Sequence, residues 1–231
     1  MLPGFHLLSA EDADSFNGLQ GVFLVADDVM DSGEVRRGKP CWHRLPGVGL
    51  SAVNDAFLLD NAANALLKAS LHQHPAYGDI LALFNETRLR TTLGQLLDTS
   101  GRALADCSSA LYAEIVALKT TAYTVAAPFR LALLLSERRL NSADDELLSE
   151  AILRIGHLFQ VQDDMLDWCW AGAEVTGKSG RDIAEGKLTW PLISAIPILH
   201  RHQRNILEKN YGKEDGVETV VDLYERIATN L

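Results

Sequence analysis

The apolar residues of this chain recur mainly three and four positions apart, which is the spacing of one face of an α-helix. Alternating β-branched runs bounded by turns, which would predict strands, are hard to find. The pattern therefore predicts helices almost throughout. Their expected ranges are Ser15–Met30, Ser51–Leu71, Tyr77–Asp98, Ala105–Leu135, Asp144–Trp168, Trp190–Asn210 and Val217–Thr229.

Glycine and proline mark where this helical pattern should be interrupted. Gly33–Gly49 is rich in glycine, proline and basic residues, and Gly172–Gly186 contains four glycines, so both should be loops. We expect the long fourth helix to kink near Pro128. Ser142 is the expected cap of the fifth helix.

Composition narrows the classes of protein that fit this pattern. The chain has 231 residues, of which 47% are apolar and 23% charged, typical of one globular domain over residues 1–231. Its net charge of -10 argues against a nucleic-acid partner. No apolar run reaches the roughly 18 residues of a membrane span. Three cysteines without CxxC spacing and no signal-peptide pattern lead us to expect a cytoplasmic protein.

Two acidic triplets share the pattern D-D-x-x-D and follow apolar helical rows. They are Asp27, Asp28, Asp31 after Phe16, Leu19, Phe23, and Asp163, Asp164, Asp167 after Ile152, Ile155, Phe159. The spacing puts the first and third carboxylates of each triplet on one helical face. At the end of a core-facing row, like charges would raise each other's pKa unless a cation intervened. Mg²⁺ is the expected cation because it prefers oxygen ligands and bridges carboxylates to phosphates.

Other interpretations of these features remain open at this point. A single D-D-x-x-D triplet occurs by chance at helix ends, whereas two matching copies favour a shared role. Arg36 and Arg37 could be a solvated loop pair, but their place directly after an acidic triplet favours phosphate binding. Lys119 shares a helical row with Ile115 and Tyr123, so it either meets a phosphate or extends its ammonium group to water.

Several longer segments resemble the farnesyl diphosphate synthases, which belong to the trans-isoprenyl diphosphate synthases. In chain order they are FLVADDVMDSGEVRRGKPCW, LPGVGLSAVNDAFLL, GQLLD, LKTTAY and FQVQDDMLDWCWAGAEVTGKSGRDIAEGKLTWPL. The similarity runs from about Val22 to Tyr211, and residues 1–21 do not match. The resemblance implies an all-α isoprenoid-synthase helical bundle around a central cavity, a homodimer, and a requirement for Mg²⁺.

The resemblance also implies roles for individual residues. It makes both acidic triplets magnesium ligands. Three residues are expected to bind the allylic diphosphate: Arg36, Lys119 and Lys178. Arg37 is expected to bind isopentenyl diphosphate. The resemblance places beside the reacting carbons Thr120, Tyr123 and Gln160. Asp182 and Lys187 are expected in a loop that closes the site, and Gln95 and Asp98 are expected to form a polar pair deeper in the cavity. The pocket wall that limits product length is expected to include Val22 and Phe23.

The reaction implied is a magnesium-dependent condensation of isopentenyl diphosphate with dimethylallyl or geranyl diphosphate. It proceeds through an allylic carbocation and yields farnesyl diphosphate. The family's upstream G-G-K motif and its last helices find no match, so we expect truncation at both ends and an incomplete isopentenyl diphosphate site. Two alternatives follow, a terpene synthase acting on an allylic diphosphate and a non-catalytic partner subunit in a heteromer with a full-length synthase.

Overall fold

The computed structural model describes residues 10–168 and 181–228, with side chains from Asn17 onward. As predicted, the fold is all-α. The helices are α1 (Ala10–Met30), α2 (Ala52–Leu71), α3 (Tyr77–Thr99), α4 (Ser109–Ile115), α5 (Ala127–Leu135), α6 (Ser142–Trp168), α7 (Arg181–Glu185), α8 (Trp190–Ala195), α9 (Arg201–Asn210) and α10 (Val217–Ala228). A π-helical segment, Val116–Ala126, joins α4 to α5.

The buried apolar side chains form two clusters that flank the π-helical segment. The first cluster is built by α1, α2, α3 and α5 from Leu19, Leu67, Leu71, Ile80, Phe84 and Leu131. The second is built mainly by α4 and α7–α10, with Tyr112, Ile183, Leu192, Leu207 and Val220 among its members. Helices α3 and α6 both pack against the π-helical segment, which therefore runs through the middle of the molecule.

The π-helical segment divides what the sequence predicts as one long helix, residues 105–135. Ser108 caps α4 by accepting a hydrogen bond from the Leu111 backbone N–H at 3.2 Å. The wider π turns end directly before Pro128, the second residue of α5, which has no N–H to donate. The irregularity expected at this proline thus lies in the turns before it. Such π turns are rare and occur frequently at functional sites.

Two glycines allow the neighbouring helices to approach the π-helical segment closely. A Cβ added at Gly94 of α3 would lie 2.6 Å from Lys119 Cα and 2.8 Å from Leu118 C. A Cβ added at Gly156 of α6 would lie 2.7 Å from two side-chain carbons of Thr121. Both distances are far inside van der Waals contact, so these positions require glycine if the helices are to keep their spacing.

The prediction of one helix over Trp190–Asn210 is wrong. Helix α8 ends at Ala195, a 3₁₀ turn spans Ile196–Ile198, and α9 begins only at Arg201. Pro197 lies in that turn, and its missing N–H and fixed ring stop α8 from continuing.

The two predicted loops and one predicted helix cap also differ in detail from the structure. Within Gly33–Gly49 two short antiparallel strands pair, Val35–Arg36 with Lys39–Pro40. The end of the Gly172–Gly186 loop forms α7, while residues 172–180 lie outside the described part. Asn141, not Ser142, caps α6, because its side-chain oxygen accepts from the Asp144 N–H at 2.9 Å.

The buried face of α6 also differs from the predicted row. Ile155 and Phe159 are 49% and 50% exposed. The buried row instead contains Ile152, Gly156, Asp164 and Asp167. Gly156 explains this orientation, because its missing side chain lets α6 turn that face onto the π-helical segment. This orientation buries the second and third carboxylates of the triplet, Asp164 and Asp167, and leaves Asp163 half-buried.

Candidate functional site

The first acidic triplet lies at the C-terminal end of α1, where a short hairpin returns an arginine to it. Arg37 and Gly38 have φ values of 53° and 74°, as a tight two-residue hairpin turn requires. The turn directs Arg36 back toward α1. The Arg36 Nε lies 2.8 and 2.9 Å from the two carboxylate oxygens of Asp28, and its Nη2 lies 3.1 Å from Asp27 Oδ2.

The π-helical segment and α3 meet this triplet from another side. Lys119 Nζ lies 3.2 Å from Asp27 Oδ1 and 2.6 Å from Asp98 Oδ2. Gln95 Nε2 donates to the same oxygen of Asp27 at 3.0 Å. The close contact at Gly94 sets this geometry, because it brings the backbone of α3 against the backbone of Lys119.

Helix α7 and the residue after its last turn cover the end of α1. Lys187 Nζ lies 2.5 Å from Asp31 Oδ2, 2.9 Å from Glu185 Oε2 and 3.7 Å from Asp182 Oδ1. Arg181 Nη2 donates to the backbone oxygen of Asp31 at 2.7 Å. One lysine thus ties this segment to the first triplet.

In the second triplet, Asp164 is 4% exposed and accepts hydrogen bonds from three donors. Gln160 Nε2 donates to one oxygen, and Tyr112 Oη and the Trp190 backbone N–H donate to the other, each at 2.7 Å. These donors come from α6, α4 and the first residue of α8. Asp164 therefore joins three helices as well as belonging to an acidic motif.

The two triplets are connected through α7. The Asp182 backbone N–H donates to Asp167 Oδ2 at 3.0 Å, and the Asp182 side chain lies beside Lys187, which contacts Asp31. Asp163, one helical turn before Asp167, is half-buried. The ends of α1 and α6 therefore belong to one continuous charged cluster.

Charge and burial together set the pKa values in this cluster. Burial works to raise the pKa of Asp27, but the positive charges around it, Lys119 foremost, outweigh burial and lower that pKa. Burial, then the charge of Asp27, raises the pKa of Asp31 despite the nearby Lys187. Burial opposes charging of both lysines, yet the adjacent carboxylates raise the pKa of each above its ordinary value. Both lysines are therefore cationic at neutral pH.

An apolar and hydroxyl-bearing wall adjoins the charged cluster. The ring of Phe23 contacts the ring of Tyr123, with centroids 5.6 Å apart, and Val22 is half-buried next to it. The buried Thr120 hydroxyl donates to Gln160 Oε1 at 2.5 Å. Because Gln160 also binds Asp164, the π-helical segment is linked to the second triplet.

The structure thus brings most of the residues selected from the sequence into one cluster. They are Asp27, Asp28, Asp31, Arg36, Gln95, Asp98, Lys119, Thr120, Gln160, Asp164, Asp167, Asp182 and Lys187. Arg37 is exposed in the hairpin turn, and Lys178 lies outside the described residues. Sequence reasoning missed Tyr112, Arg181 and Glu185. Of these, Tyr112 carried a usable signal, since it precedes Lys119 by seven residues and so shares its helical face.

The chain is similar in sequence to one known protein family over most of its length. The profile of the family described as Polyprenyl synthetase matches residues 10–227. The chain belongs to the polyprenyl synthetase family. Among its relatives, farnesyl pyrophosphate synthase of Panax ginseng is 40% identical over 216 residues, 90% of this chain and 62% of that protein. Farnesyl pyrophosphate synthase of Candida albicans is 41% identical over 217 residues, 90% of this chain and 61% of that protein.

Solved structures agree with this family assignment. T. brucei farnesyl diphosphate synthase complexed with risedronate superimposes with a TM-score of 0.86 at 30% identity, covering 94% of this chain and 66% of that one. The same enzyme complexed with bisphosphonate BPH-1326 gives 0.86 at 31% identity, covering 93% and 79%. The predicted resemblance and the all-α isoprenoid-synthase fold are thus confirmed. This family member spans about three fifths of the length of the curated relatives it matches.

Proposed function

We propose that this polyprenyl synthetase transfers an allylic prenyl group to isopentenyl diphosphate and makes farnesyl diphosphate. The observation that carries the proposal is the convergence of lysines and arginine on two acidic triplets beside an apolar wall. Relatives named farnesyl pyrophosphate synthases support the product. A diphosphate with its counter-ions requires such a mixed cluster, since neither charge type alone could bind both.

We assign the metal to the outer carboxylates, those of Asp27, Asp31, Asp163 and Asp167. Their oxygens are the hard donors that Mg²⁺ prefers, and they come from two helices that meet in one cluster. Asp164 accepts on both oxygens from uncharged protein donors, and both oxygens of Asp28 face the Arg36 Nε, so these two fix the triplets in place. Asp27 also accepts on both oxygens, but its donors include Lys119, which we assign to the diphosphate. In the described part of the chain, no three His, Cys, Asp or Glu side chains are grouped as a preformed metal site. When bound, Mg²⁺ would neutralise the charge of the leaving diphosphate.

The protein's own residues would then stabilise ionisation of the allylic substrate. Arg36, Lys119 and Lys187 are placed to hold the diphosphate as its carbon–oxygen bond breaks; Lys178 has the same expected role. Phe23 and Tyr123 would keep water from the carbocation. The isopentenyl double bond attacks that cation, and the departing diphosphate takes the proton released from the new allylic product.

Two of the proposed residues would limit the chain length of the product. Val22 and Phe23 lie five and four residues before Asp27, so they line α1 one turn beneath the diphosphate end of the pocket. The Phe23 ring, packed on Tyr123, would close the pocket to longer chains. Valine at position 22 leaves more room than an aromatic ring would.

A second candidate function is a terpene synthase that ionises an allylic diphosphate without adding isopentenyl diphosphate. The exposure of Arg37 favours it, because this is the residue we expect on isopentenyl diphosphate. A non-catalytic partner subunit is the third possibility. The deciding assay incubates the protein and Mg²⁺ with geranyl diphosphate, with and without isopentenyl diphosphate. Farnesyl diphosphate supports the proposal, hydrocarbons or alcohols support a terpene synthase, and no turnover supports a partner subunit.

Assembly and location are also proposals. We propose a homodimer, or a heteromer with a related synthase, because α2 and α3 expose many apolar side chains. We propose a cytoplasmic location, supported by Cys41 and Cys107, which are both free thiols. Among the described helices, none combines the length and apolarity needed to cross a bilayer. One relative, from Arabidopsis thaliana, is named a mitochondrial farnesyl pyrophosphate synthase.

A further inference from the structure

Tyr211, the residue that follows α9, holds the backbone of Lys187. Its hydroxyl donates to the Lys187 carbonyl oxygen at 2.8 Å and lies 3.3 Å from Thr189 Oγ1. Burial raises the pKa of this hydroxyl well above its ordinary value, so it stays protonated and able to donate. A tyrosine directly after α9 thus contacts the backbone of the lysine whose side chain reaches the first triplet.

The next residue adds a second attachment between the same two segments. The Gly212 N–H donates to the Ile183 carbonyl oxygen at 2.9 Å. A Cβ added at Gly186 would lie 3.2 Å from Gly212 Cα, and both glycines have positive φ values, 70° and 79°. The end of α9 is therefore packed, backbone against backbone, on the segment between α7 and α8.

These attachments fix the point from which the Lys187 side chain extends. Lys187 Nζ contacts Asp31, the residue directly after α1, and Glu185 of α7. The Lys187 side chain spans from the segment between α7 and α8 to Asp31, so it reaches that carboxylate only if its own backbone is held at the correct distance. Tyr211 binds the Lys187 carbonyl oxygen, and the Lys187 N–H donates to the Asp182 carbonyl oxygen at 3.0 Å.

We propose that Tyr211 is a positioning residue that acts through Lys187 on diphosphate binding. The role of Lys187 in binding diphosphate rests on the proposed function, whereas the effect of Tyr211 on the Lys187 backbone does not. Tyr224 supplies a matched control. It is a buried tyrosine of α10 whose ring packs against Trp168.

The first test measures the backbone without any ligand. Hydrogen exchange of amides 182–190 is compared in the wild type, Tyr211→Phe and Tyr224→Phe. Loss of one hydrogen bond should speed exchange of these amides about fivefold in Tyr211→Phe, with a smaller change in Tyr224→Phe. Equal exchange in the wild type and Tyr211→Phe overturns the proposal. Melting temperatures of all three proteins show whether a faster exchange is local or reflects global destabilisation, and a global effect also overturns it.

The second test is a double-mutant cycle with inorganic pyrophosphate and saturating Mg²⁺, followed by titration calorimetry. Tyr211→Phe should weaken pyrophosphate binding about fivefold in the wild-type background but have almost no effect in the Lys187→Gln background. The same loss in both backgrounds would show that Tyr211 does not act through Lys187. A wild-type protein that does not bind pyrophosphate would instead contradict the proposed function, and the exchange experiment would still decide the role of Tyr211.

Discussion

At the scale of single residues, the oxygens of the aspartates in the two D-D-x-x-D motifs have different partners. Asp28 receives the guanidinium of Arg36 on both oxygens, and Asp164 receives Tyr112, Gln160 and a backbone N–H. Asp27, Asp31 and Asp167 lie in the shared charged cluster, and Asp163 is half-buried directly before Asp164. Identical letters in a motif therefore correspond to two physical tasks, which substitution can separate.

Asp163→Asn should mainly reduce turnover, whereas Asp164→Asn should mainly reduce the stability of the fold. Removing a proposed metal ligand at 163 should lower turnover at least about 100-fold with little change in the free energy of unfolding. At 164, the amide cannot accept on both sides as the carboxylate does, so unfolding should become easier by about 1–3 kcal/mol. Denaturant unfolding and product assays measure both. Asp60→Asn, which changes an aspartate paired with Arg88 away from the cluster, is the control. Loss of activity at 164 with unchanged stability would contradict the division of roles.

Lys119 and Lys187 should make the protein sensitive to alkali. In the folded state, carboxylates raise both pKa values above the ordinary 10.5. A raised pKa means that the ionic stabilisation is complete below 10.5 and is lost as the pH rises through the folded values. The melting temperature should therefore fall above that pH. Lys187→Met should lower the melting temperature at neutral pH and flatten its alkaline decline. A variant with the same decline as the wild type would refute the contribution of this lysine.

At the scale of elements, the helices were predictable because apolar residues spaced three and four positions apart indicate a helix with one buried face. Ser51–Leu71 and Tyr77–Asp98 agree with the structure to within one residue at either end. The π-helical segment was not predictable, because its wider turns depend on how α3 and α6 pack against it. Periodicity also chose the wrong face of α6. It counted Ile155 and Phe159 as core, whereas Gly156, which has no side chain to count, marks the buried contact.

Gly94→Ala should disturb the site through the packing of two elements. The added methyl group would collide with the backbone of Leu118 and Lys119. Overpacking of this kind costs about 1–3 kcal/mol, and it should also displace Lys119 from Asp27 and weaken diphosphate binding. Thermal unfolding and pyrophosphate titration measure the two effects. Gly78→Ala in the same helix is the control, because nothing lies within 4 Å of its added Cβ and alanine favours helix. Similar behaviour of the two variants would refute the packing argument.

At the scale of the whole molecule, the site exists only where several elements meet. The first triplet belongs to α1, its lysine partners to the π-helical segment and the segment after α7, and the second triplet to α6. A sequence can show that two acidic motifs match, but not that a lysine after α7 will reach α1. That contact depends on α9, because its end holds the intervening backbone. The family resemblance supplied most of the site residues, and the tertiary packing supplied their partners.

The molecule also exposes many apolar side chains on α2 and α3. The exposed residues of this surface are Val53, Phe57, Leu58, Leu66, Leu89, Leu93 and Leu96. Arg88 joins the two helices by hydrogen bonds to Asp60 and Asn64, so the surface has a fixed scaffold. Large exposed apolar surfaces mark interaction sites in folded proteins.

Phe57→Glu should therefore separate a dimer into monomers. Phe57 is 66% exposed on α2, and a charge placed there would have to be buried without a partner if two such surfaces packed together. Sedimentation velocity over a range of concentrations measures the mass, which should be dimeric for the wild type. Leu158→Glu is the control, since Leu158 is 68% exposed but lies on α6. It should leave the dimer intact. A monomeric wild type would contradict the proposed dimer. A dimer that Leu158→Glu dissociates and Phe57→Glu does not would place the interface on another face, because only a charge inside the contact must lose its hydration.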